Sequence, residues 1–527
     1  MDGLLLGRAI LAAYVAVLSL LCVYGLHRCF LVALYYRHRR KPVLPAGQFV
    51  DLPAITVQLP MYNEASVAAR VIEAAGRIEY PRDRFEIQVL DDSTDNTSEI
   101  AAESARRLRA AGITAHHVRR SSRVGYKAGA LQHGLTSARG ELVAIFDADF
   151  VPPPRILLDS VAHFTDARVG AVQCRWDHLN RDDSVLTRAQ SILLDGHFIV
   201  EHVARNRSGR FMSFNGTAGI WRRAAIDDAG GWQHDTLTED LDLSYRAQLR
   251  GWRFVFLPNV TSPAELPPEM NAFKAQQHRW TKGGAQTCVK LLATVLRSRL
   301  PLRVKVEAFF HLTGNLVYVL MVLLALLLGP AILARASMDA PMPAWQMAVE
   351  WVLFLVGTGS ALMFYVVSQR EIGRGMLGTL AAIPSLMALG VGIAFNNALA
   401  ALDGLIRPAG EFVRTPKFGR TAGKGEASGT GGVGGEPAAA RDKPTRATPR
   451  PRPNPPSAGQ VRGRWQAWAE LGMAAYLTVF VVCALLTDGW AARVSAVLPF
   501  LAIFVGGYVY VAVQTLAPRA LGGIPAA

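Results

Sequence analysis

The sequence is short of cysteine and of acidic side chains. Its five cysteines are scattered over 527 residues without metal-type spacing, which argues against a disulfide framework and against a zinc site. Asp and Glu total 41 against 56 Lys and Arg, so the formal net charge is +15. No internal repeat is present in the sequence. In a soluble protein this charge would favour nucleic acid as a partner.

Long apolar runs are abundant, because 51% of the chain is hydrophobic and unevenly spread. Five runs approach or exceed the roughly 20 residues that cross a bilayer; they cover residues 9–36, 306–334, 347–369, 467–486 and 494–516. The first run is too long for a secretory signal, and no small-residue cleavage site precedes the basic cluster after it. Residues 1–41 are therefore predicted to be a retained anchor of a multi-pass membrane protein.

Much of the positive charge lies beside these apolar runs. Four basic residues follow the first run between positions 37 and 41, and residues 414–464 are rich in Arg and Lys. Such clusters favour the cytoplasmic side of a membrane. We therefore predict that the chain lies in the cytoplasmic (inner) membrane with residues 37–305 in the cytoplasm. Anionic membrane lipid is the expected partner of these segments, and nucleic acid is not expected.

Residues 42–285 alternate strand and helix patterns. Strands are predicted over 55–59, 85–90 and 142–145, and helices over 66–77 and 97–111. Such alternation is typical of a mostly parallel sheet with helices on both faces. The predicted fold class is thus an α/β cytoplasmic domain inserted in a polytopic α-helical membrane domain. Ligands bind sheets of this kind beyond the carboxyl ends of the strands.

The rest of the chain divides by composition into five predicted parts. They are an interfacial amphipathic helix at 286–305, two transmembrane helices at 306–370, and an interfacial or re-entrant segment with a loop at 371–419. A disordered basic linker rich in Gly and Pro follows at 420–463, and two more transmembrane helices at 464–527. Residues 375–405 are apolar enough to cross, but a crossing would place the basic linker on the wrong side. We therefore predict an interfacial or re-entrant segment there.

Asp147 and Asp149 follow the buried strand pattern at 142–145 and precede a Pro-rich turn at 151–154. Two carboxylates separated by one residue at a strand end can reach one hard cation, which is usually shared with substrate phosphates. A surface turn is the alternative, because Asp is common in turns. Polar clusters at the other expected strand ends, 63–64 and 91–92, favour the metal site.

Seven short motifs occur in order in this stretch: PMYNE at 60–64, VLDDSTD at 89–95, GYKAGAL at 125–131, DAD at 147–149, FNGTAG at 214–219, TED at 238–240 and QQHRW at 276–280. Together they resemble glycosyltransferase family two, specifically the processive membrane enzymes that include cellulose synthase, hyaluronan synthase and the plant cellulose-synthase-like glucomannan synthases. The resemblance covers residues 60–283 and is strongest to the glucomannan synthases. Residues 412–419 resemble the gating loop of cellulose synthase.

The resemblance implies a GT-A-type glycosyltransferase fold and a nucleotide-sugar site. It implies that Asp147 and Asp149 hold Mg²⁺ or Mn²⁺ at the sugar-nucleotide diphosphate. The implied substrate- and nucleotide-binding set is Asp91, Asp92, Glu64, Lys127, Asp147, Gln276, Arg279 and Trp280. For Asp91 and Asp92, contact with the base or ribose and an Asx-turn remain equal alternatives. Lys127 would meet the diphosphate as a point charge, with a solvated lysine as its alternative.

The family pattern also implies that Asp240 is the general base that takes a proton from the acceptor hydroxyl. The alternative is an acidic first turn of a helix, for which Asp242 is better suited than Asp240. The residues on the acceptor side would be Asn215, Gly216, Thr217 and Glu239. Arg279 could bind diphosphate through a bidentate fork, and Trp280 offers an apolar face to a sugar ring. An aromatic anchor near the membrane interface is the alternative for Trp280.

These features predict an inverting, metal-dependent hexosyltransferase that uses cytoplasmic GDP-mannose or UDP-glucose. It would extend a β-linked polysaccharide and pass it through its own membrane helices, with export proteins as further candidate partners. Inversion follows from a single displacement assisted by one base. A non-processive enzyme that glycosylates a lipid is the alternative. A transporter with a degenerate domain is a third hypothesis, which the complete acidic set disfavours.

Overall fold

The computed structural model describes residues 2–336, 344–408, 410, 419, 458–486 and 498–517. A seven-stranded sheet lies at the centre of its soluble part, in the order β3-β2-β1-β4-β6-β5-β7. The strands are β1 Ile55–Met61, β2 Phe85–Asp91, β3 Thr114–Arg119, β4 Leu142–Ile145, β5 Val169–His178, β6 Gly219–Arg222 and β7 Arg253–Ala264. The strands predicted from the sequence are confirmed within one or two residues at their ends.

The sheet is mixed and mostly parallel. Strands β3, β2, β1 and β4 are parallel neighbours, and β5 is parallel to β7. Strand β6 is antiparallel to both β4 and β5. Because β1 lies between β2 and β4, the three loops that follow these strands are adjacent at one edge. The α/β fold class predicted from the alternation is confirmed.

The strands form where the sequence provides short apolar runs that are buried on both faces. Every residue of β1, β2 and β4 is buried. One face of β1 contributes Ile55, Val57 and Leu59 to an apolar core. The opposite face carries polar groups that bond across strands, as when Gln58 Nε2 donates to Gln88 Oε1 over 3.0 Å. Buried polar groups paired in this way fix the strand register.

Helices cover the sheet and connect its strands. In the soluble part they are α2 Ala68–Gly76, α3 Thr97–Ala110, α4 Tyr126–Leu135, α5 Leu158–Val161, α6 Val185–Asp195, α7 Val203–Arg207, α8 Arg223–Asp228, α9 Glu239–Leu249 and α10 Met270–Arg297. Short 3₁₀ turns cover Arg82–Arg84 and Ala162–Thr165, and a π-helix, Gly196–His202, joins α6 to α7. Helices α2 and α3 agree with the predicted ranges 66–77 and 97–111 apart from frayed ends.

The apolar helices are α1 Asp2–His38, α11 Leu302–Thr313, α12 Val317–Ala336, α13 Ala344–Glu371, α14 Met376–Gly392, α15 Ala394–Ile406, α16 Ala458–Leu486 and α17 Leu498–Leu516. A 3₁₀ turn, Gly314–Leu316, joins α11 to α12. Four stretches in the described ranges are long and apolar enough to cross a membrane: Leu5–His38, Leu302–Arg335, Ala348–Glu371 and Arg464–Cys483. A shorter apolar helix covers Leu501–Leu516.

The ambiguous segment at 375–405 consists of the helix pair α14 and α15, bent by 41° at one residue. A pair bent in this way is either a broken span or a re-entrant loop. The predicted re-entrant arrangement is one of these two.

Residues 286–305 do not form a separate helix, in contrast to the predicted interfacial helix. Helix α10 continues from Met270 to Arg297, and a new helix, α11, begins at Leu302 after Pro301. Proline has no backbone N–H to donate and disfavours helical backbone in the residue before it, so Pro301 is suited to the start of α11. The predicted boundary at 286 is therefore corrected: the QQHRW motif and residues 286–297 belong to one helix, and residues 302–305 begin the next.

Two predicted features lie largely outside the described residues. The loop at 412–419 is described only at Gly419, and the linker at 420–463 only from Ala458, where α16 begins earlier than the predicted boundary at 464. Gly419 N donates to Glu265 Oε2 over 3.1 Å. The end of the loop therefore contacts the soluble domain.

Helices α14 and α17 approach each other at glycines. A Cβ added to Gly507 would lie 2.4 Å from Ala388 O, and one added to Gly392 would lie 2.2 Å from Gly507 O. A Cβ on the neighbouring Gly506 would meet nothing within 4 Å. Backbones pack this closely in membrane helices only where small residues meet.

We predict that Gly507→Ala destabilises the protein by about 1–3 kcal/mol, because the extra methyl group forces α14 and α17 apart. Gly506→Ala is the matched control; it makes the same change of helix propensity, which alone stabilises by up to about 1 kcal/mol. Thermal unfolding of both variants in detergent micelles measures the difference. Equal unfolding midpoints would contradict the close packing of these two helices.

Candidate active site

A cavity of about 180 Å³ opens at the edge of the sheet where β1, β2 and β4 end. Seven carboxylates and three cationic side chains line it: Glu64, Asp92, Asp147, Asp149, Glu239, Asp240 and Glu265, with Arg123, Lys127 and Arg279. This excess of negative charge favours the binding of a cation. The sheet thus brings together acidic residues that are far apart in the sequence.

Asp147 and Asp149 lie on the loop that follows β4. Asp147 N donates to Thr217 Oγ1 over 2.8 Å, and Phe150 N donates to Asp147 O over 3.0 Å, so the loop has a defined shape. Both carboxylates line the cavity, and Asp149 is the more buried of the two. Thr217 is fully buried beneath this loop and does not line the cavity. Its predicted place on the acceptor side is therefore corrected to a support of Asp147.

Lys127 is held among acidic groups. Its Nζ lies 2.6 Å from Asp147 Oδ1 and 4.0 Å from Glu239 Oε1, and it donates to Gly216 O over 3.0 Å. Burial opposes its charge, but the carboxylates of Asp147 and Glu239 raise the pKa of Lys127 above its usual value. It therefore stays protonated and partly neutralises the cavity. A solvated lysine, the alternative considered from the sequence, does not match this position.

Asp92 and Asp91 have opposite environments, as expected of neighbours at a strand end. Asp92 lines the cavity, and its carboxylate accepts from Arg120 Nε over 2.9 Å and from Arg120 Nη2. Asp91 is buried away from the cavity, where it accepts from Ser93 N over 2.8 Å and lies 2.8 Å from His117 Nε2. The nucleotide contact predicted for Asp91 is therefore corrected, and its role is to hold the loop.

Glu64 reaches the cavity because hydrogen bonds of Asn63 join the loop after β1 to the loop after β2. Asn63 has a left-handed backbone with φ of 54°, and its N donates to Ser93 Oγ over 2.9 Å. Thr94 N donates back to Asn63 Oδ1 over 2.8 Å. The loops after β1 and β2 are thus tied together. Glu64, directly after Asn63, is buried and lines the cavity.

Asp240 is the second residue of helix α9, directly after Glu239. Burial and the neighbouring Glu239 carboxylate raise the pKa of Asp240 to about 7, while Lys127 and the Leu241 N–H act in the opposite direction. Burial also raises the pKa of Glu239. A carboxylate with a pKa near neutrality can exchange a proton with a bound hydroxyl group. Asp240 is thus suited to acid–base chemistry.

Asp242, one turn into the same helix, has a structural environment. Its buried carboxylate lies 2.7 Å from Arg246 Nη2 and 2.9 Å from Lys290 Nζ, and it does not line the cavity. This agrees with the distinction between Asp240 and Asp242 that the sequence suggested.

Gly216 and Asn215 form the wall next to Asp240. Gly216 has φ of 78°, and a Cβ there would lie 2.9 Å from Asp240 Oδ2. Only glycine therefore satisfies both the backbone and the space at this position. Asn215 lines the cavity, and its N donates to Gln173 Oε1 over 2.8 Å.

Helix α10 supplies Gln276, Arg279 and Trp280 to the opposite wall. It approaches closely because Gly283 lies against the loop before α9, where a Cβ would come within 2.7 Å of Thr238 N. Burial lowers the pKa of Arg279, and the nearby Glu239, Asp147, Asp149 and Asp240 carboxylates oppose this effect. The guanidinium group therefore faces the acidic cluster.

An aromatic wall completes the cavity. The Trp280 ring centroid lies 6.3 Å from that of Trp176, which in turn lies 5.3 Å from that of Phe150. Flat apolar faces of this kind pack against the ring of a sugar. Trp176 was not singled out in the sequence, because a lone Trp in a strand carries no local signal of a site.

The donor set suits a hard divalent cation only in part. Within the described residues, no group of three or more His, Cys, Asp or Glu side chains is placed to hold a metal ion. Asp147 and Asp149 supply two carboxylates, and Mg²⁺ is typically bound by one or two carboxylates together with substrate phosphates and water. The residues thus fit Mg²⁺ or Mn²⁺ that is shared with a phosphate-bearing ligand.

Sequence patterns do not single out several residues that line the cavity or pair with its side chains. Arg120 pairs with Asp92, and Arg123 lies with its guanidinium carbon 3.4 Å from the centroid of the Tyr62 ring. His178 and Glu265 also line the cavity. Arg120 and Arg123 follow β3 just before the GYKAGAL motif. Their position next to this motif is the one sequence feature that points to them.

Comparison with known proteins gives one matching family model and several similar proteins. Residues 53–283 match the family model described as "Glycosyltransferase like family 2". Glucomannan 4-beta-mannosyltransferase 2 of Arabidopsis thaliana is 44% identical over 254 residues, which are 47% of this chain and 48% of the relative. Glucomannan 4-beta-mannosyltransferase 1 of Oryza sativa subsp. japonica is 41% identical over 252 residues, with the same coverage. The chain spans about half the length of these relatives.

Among solved structures, the mannosyltransferase PcManGT from Pyrobaculum calidifontis, in complex with GDP-Man and Mn²⁺, aligns with a TM-score of 0.49 and 23% identity. The alignment covers 75% of this chain and 99% of PcManGT. The S. aureus protein TarS aligns with a TM-score of 0.34 and 15% identity, over 67% of this chain and 54% of TarS.

We predict that Asp91→Ala destabilises the protein by about 2–4 kcal/mol, because it leaves the buried Ser93 N and the partly buried His117 without an acceptor. Asp95→Ala is the control, since Asp95 also accepts an N–H two residues on, from Thr97, but is itself exposed. Thermal unfolding of both variants in detergent measures the difference. If the two variants unfold alike, the structural role of Asp91 is wrong.

Proposed function

We propose that this chain, whose residues 53–283 form a glycosyltransferase family 2 domain, is an inverting hexosyltransferase that extends a β-linked polysaccharide from a nucleotide sugar. The observation that carries the proposal is the convergence of Asp92, Asp147, Asp149 and Asp240 on one cavity. Surface turns would not bring four such carboxylates together, since like charges repel unless bound cations and basic partners offset them.

The donor would lie along the acidic edge of the sheet. Asp92, held by Arg120, would recognise the base or ribose, and Lys127 and Arg279 would bind the diphosphate. Asp147 and Asp149 would hold Mg²⁺ or Mn²⁺, which supplies charge stabilisation for a leaving diphosphate. The relatives named glucomannan 4-beta-mannosyltransferases favour a mannosyl donor, and hence GDP-mannose over UDP-glucose.

In the transfer step, a hydroxyl oxygen of the acceptor attacks the anomeric carbon of the donor sugar. The new glycosidic bond forms as the bond from that carbon to the diphosphate oxygen breaks. Asp240 takes the hydroxyl proton, and the nucleoside diphosphate leaves with the electron pair. Lys127 and Arg279 stabilise the charge on the leaving group. One displacement assisted by one base inverts the anomeric configuration.

The apolar helices would place this domain in the inner membrane, with the active site on the cytoplasmic side. The QQHRW motif lies on α10, which packs against α15, so the cavity wall that α10 forms is continuous with the apolar helices. This arrangement supports transfer of the growing chain into the membrane part, and export proteins would then receive it.

Anionic lipid would bind at the basic junction after α1. A second cavity, of about 430 Å³, is lined by Lys41, Arg207 and Arg210 among others. Arg207 Nη1 donates to Arg39 O, and burial lowers the pKa of Arg207. A lipid phosphate group at this position would stabilise the buried guanidinium charge.

The proposal is tested by offering the purified membrane protein a panel of labelled nucleotide sugars with Mn²⁺ and β-linked hexose oligosaccharides. We expect transfer from GDP-mannose, loss of transfer on chelation with EDTA, and a product that a β-mannan hydrolase digests. A single hexose on an organic-soluble product would instead favour the lipid acceptor. Absence of transfer from every nucleotide sugar would contradict the proposal.

We predict that Asp240→Asn lowers the transfer rate by about 10²–10⁴-fold, because the amide cannot accept the hydroxyl proton. Binding of nucleotide and Mn²⁺, measured by calorimetry, should change little. Asp235→Asn, at an exposed carboxylate outside the cavity, is the control and should keep full activity. A variant at Asp240 with near-normal turnover would assign the base to another residue.

We predict that activity rises with pH through about 7. The pKa of Asp240 is raised to about 7 in the folded protein, so below pH 7 the carboxyl group is protonated and cannot act as a base. The value of kcat/KM should therefore fall about tenfold per pH unit below the midpoint and level off above it. Glu239→Gln removes a neighbouring negative charge and should lower the midpoint. A profile that rises on acidification would contradict the assignment.

A further inference from the structure

Two histidines hold the side chain of Asn215 at the wall of the cavity. His202 Nε2 lies 2.6 Å from Asn215 Oδ1, and His197 Nε2 lies 2.9 Å from Asn215 Nδ2. The two imidazole rings are 4.3 Å apart between centroids. Neither histidine belongs to the seven motifs, and neither lines the cavity itself. They act on the site only through Asn215.

Glu201 determines which atoms donate and which accept in this series of hydrogen bonds. Its Oε2 lies 3.0 Å from His197 Nδ1 and 3.2 Å from Arg205 Nη1. Burial raises the pKa of Glu201, but the charge of Arg205 and the bond to His197 outweigh it and hold the pKa well below its usual range. An ionised carboxylate only accepts. His197 Nδ1 therefore carries the proton, and His197 Nε2 accepts from the amide N–H of Asn215.

The donor and acceptor in the hydrogen bond between Asn215 and His202 follow from these roles. With its Nδ2 donating to His197, Asn215 presents Oδ1 to His202, so His202 Nε2 carries a proton and donates it. His202 Nδ1 is buried without a hydrogen-bond partner in the described part of the chain. Burial and the nearby charge of Arg205 hold the pKa of His202 well below its usual value, which agrees with a neutral ring.

The histidines converge on Asn215 because the segment that carries them, Gly196–His202, is a π-helix. Residues five apart in an α-helix point in directions that differ by about 140°. The i→i+5 hydrogen bonds of a π-helix instead stack such residues, and π-turns recur at functional sites. A regular α-helix would turn one ring away from the amide.

We propose that His197 and His202 form a clamp that positions the Asn215 amide to recognise hydroxyl groups of the acceptor sugar. An amide has two N–H donors and two acceptor lone pairs. The clamp occupies one of each, which leaves one donor and one acceptor at the cavity wall, beside Gly216 and Asp240. This inference rests on the proposed function, and both histidines are positioning residues.

The clamp is anchored to the apolar helices. Arg205 Nε donates to Glu307 Oε1 of α11 over 2.9 Å, and Glu307 Oε2 lies 3.1 Å from His27 Nε2 of α1. Arg205 and Glu307 are both buried. A buried ion pair is costly to form but costly to break. The cavity wall that carries Asn215 is thus held in a fixed position relative to two helices that could cross the membrane.

The test compares two substitutions at each histidine with the full-length protein. His197→Leu removes the acceptor for the amide N–H, whereas His197→Gln places a side-chain oxygen near the position of Nε2. We expect His197→Leu to raise the KM for an acceptor oligosaccharide about tenfold or more, as loss of an oriented hydrogen bond does. The KM for the nucleotide sugar and the rate of donor hydrolysis without acceptor should stay within about twofold.

His197→Gln should restore most of the acceptor affinity, and the pair His202→Leu and His202→Gln should behave in the same way. His133→Leu is the control, because His133 is exposed on α4 and lines neither cavity. Equal losses in donor hydrolysis and acceptor transfer, or no rescue by Gln, would overturn the clamp while leaving the proposed function intact. A wild-type protein that transfers hexose to no acceptor would overturn the proposed function, and the clamp with it.

Discussion

The position of β1 between β2 and β4 is the constraint on which the site depends. Parallel pairing places Met61 opposite Asp91 and Gln58 opposite Ile145, so the three strands end at one edge. Side chains that follow these ends must then share one space, although most of them are acidic. The cavity tolerates this because Arg120 binds Asp92 and Lys127 lies against Asp147. The same crowding and burial raise the pKa of Asp240.

Pairs of buried charges join the soluble domain to the apolar helices. Arg181 lies 2.7 Å from Asp195, which also accepts from Gln369 of α13 over 2.8 Å. Glu307 of α11 joins Arg205 to α1. Because desolvation offsets much of the attraction within such pairs, they contribute orientation more than stability. The cavity is therefore fixed relative to the helices that we propose to receive the product.

The sequence is sufficient to predict much of the fold and the acidic cluster. Its apolar runs and turn residues predict β1, β2 and β4, and parallel strands of this kind end at one shared edge, where ligands bind. It was insufficient where a contact joins distant residues without a local pattern. Asp91 and Asp92 are adjacent in sequence, yet only a folded strand end shows that one is buried and the other lines the cavity. The clamp on Asn215 depends on a π-helix, which has no propensity signature.

We propose that one base, Asp240, assists a single displacement at the anomeric carbon. The anomeric configuration of the first new linkage, determined by NMR after a single turnover with an α-linked nucleotide hexose, tests this step. We expect a β-linkage only, in the wild-type protein and in the residual product of Asp240→Asn. An α-linked product would contradict this mechanism, because a single displacement from the face opposite the leaving group cannot retain the anomeric configuration.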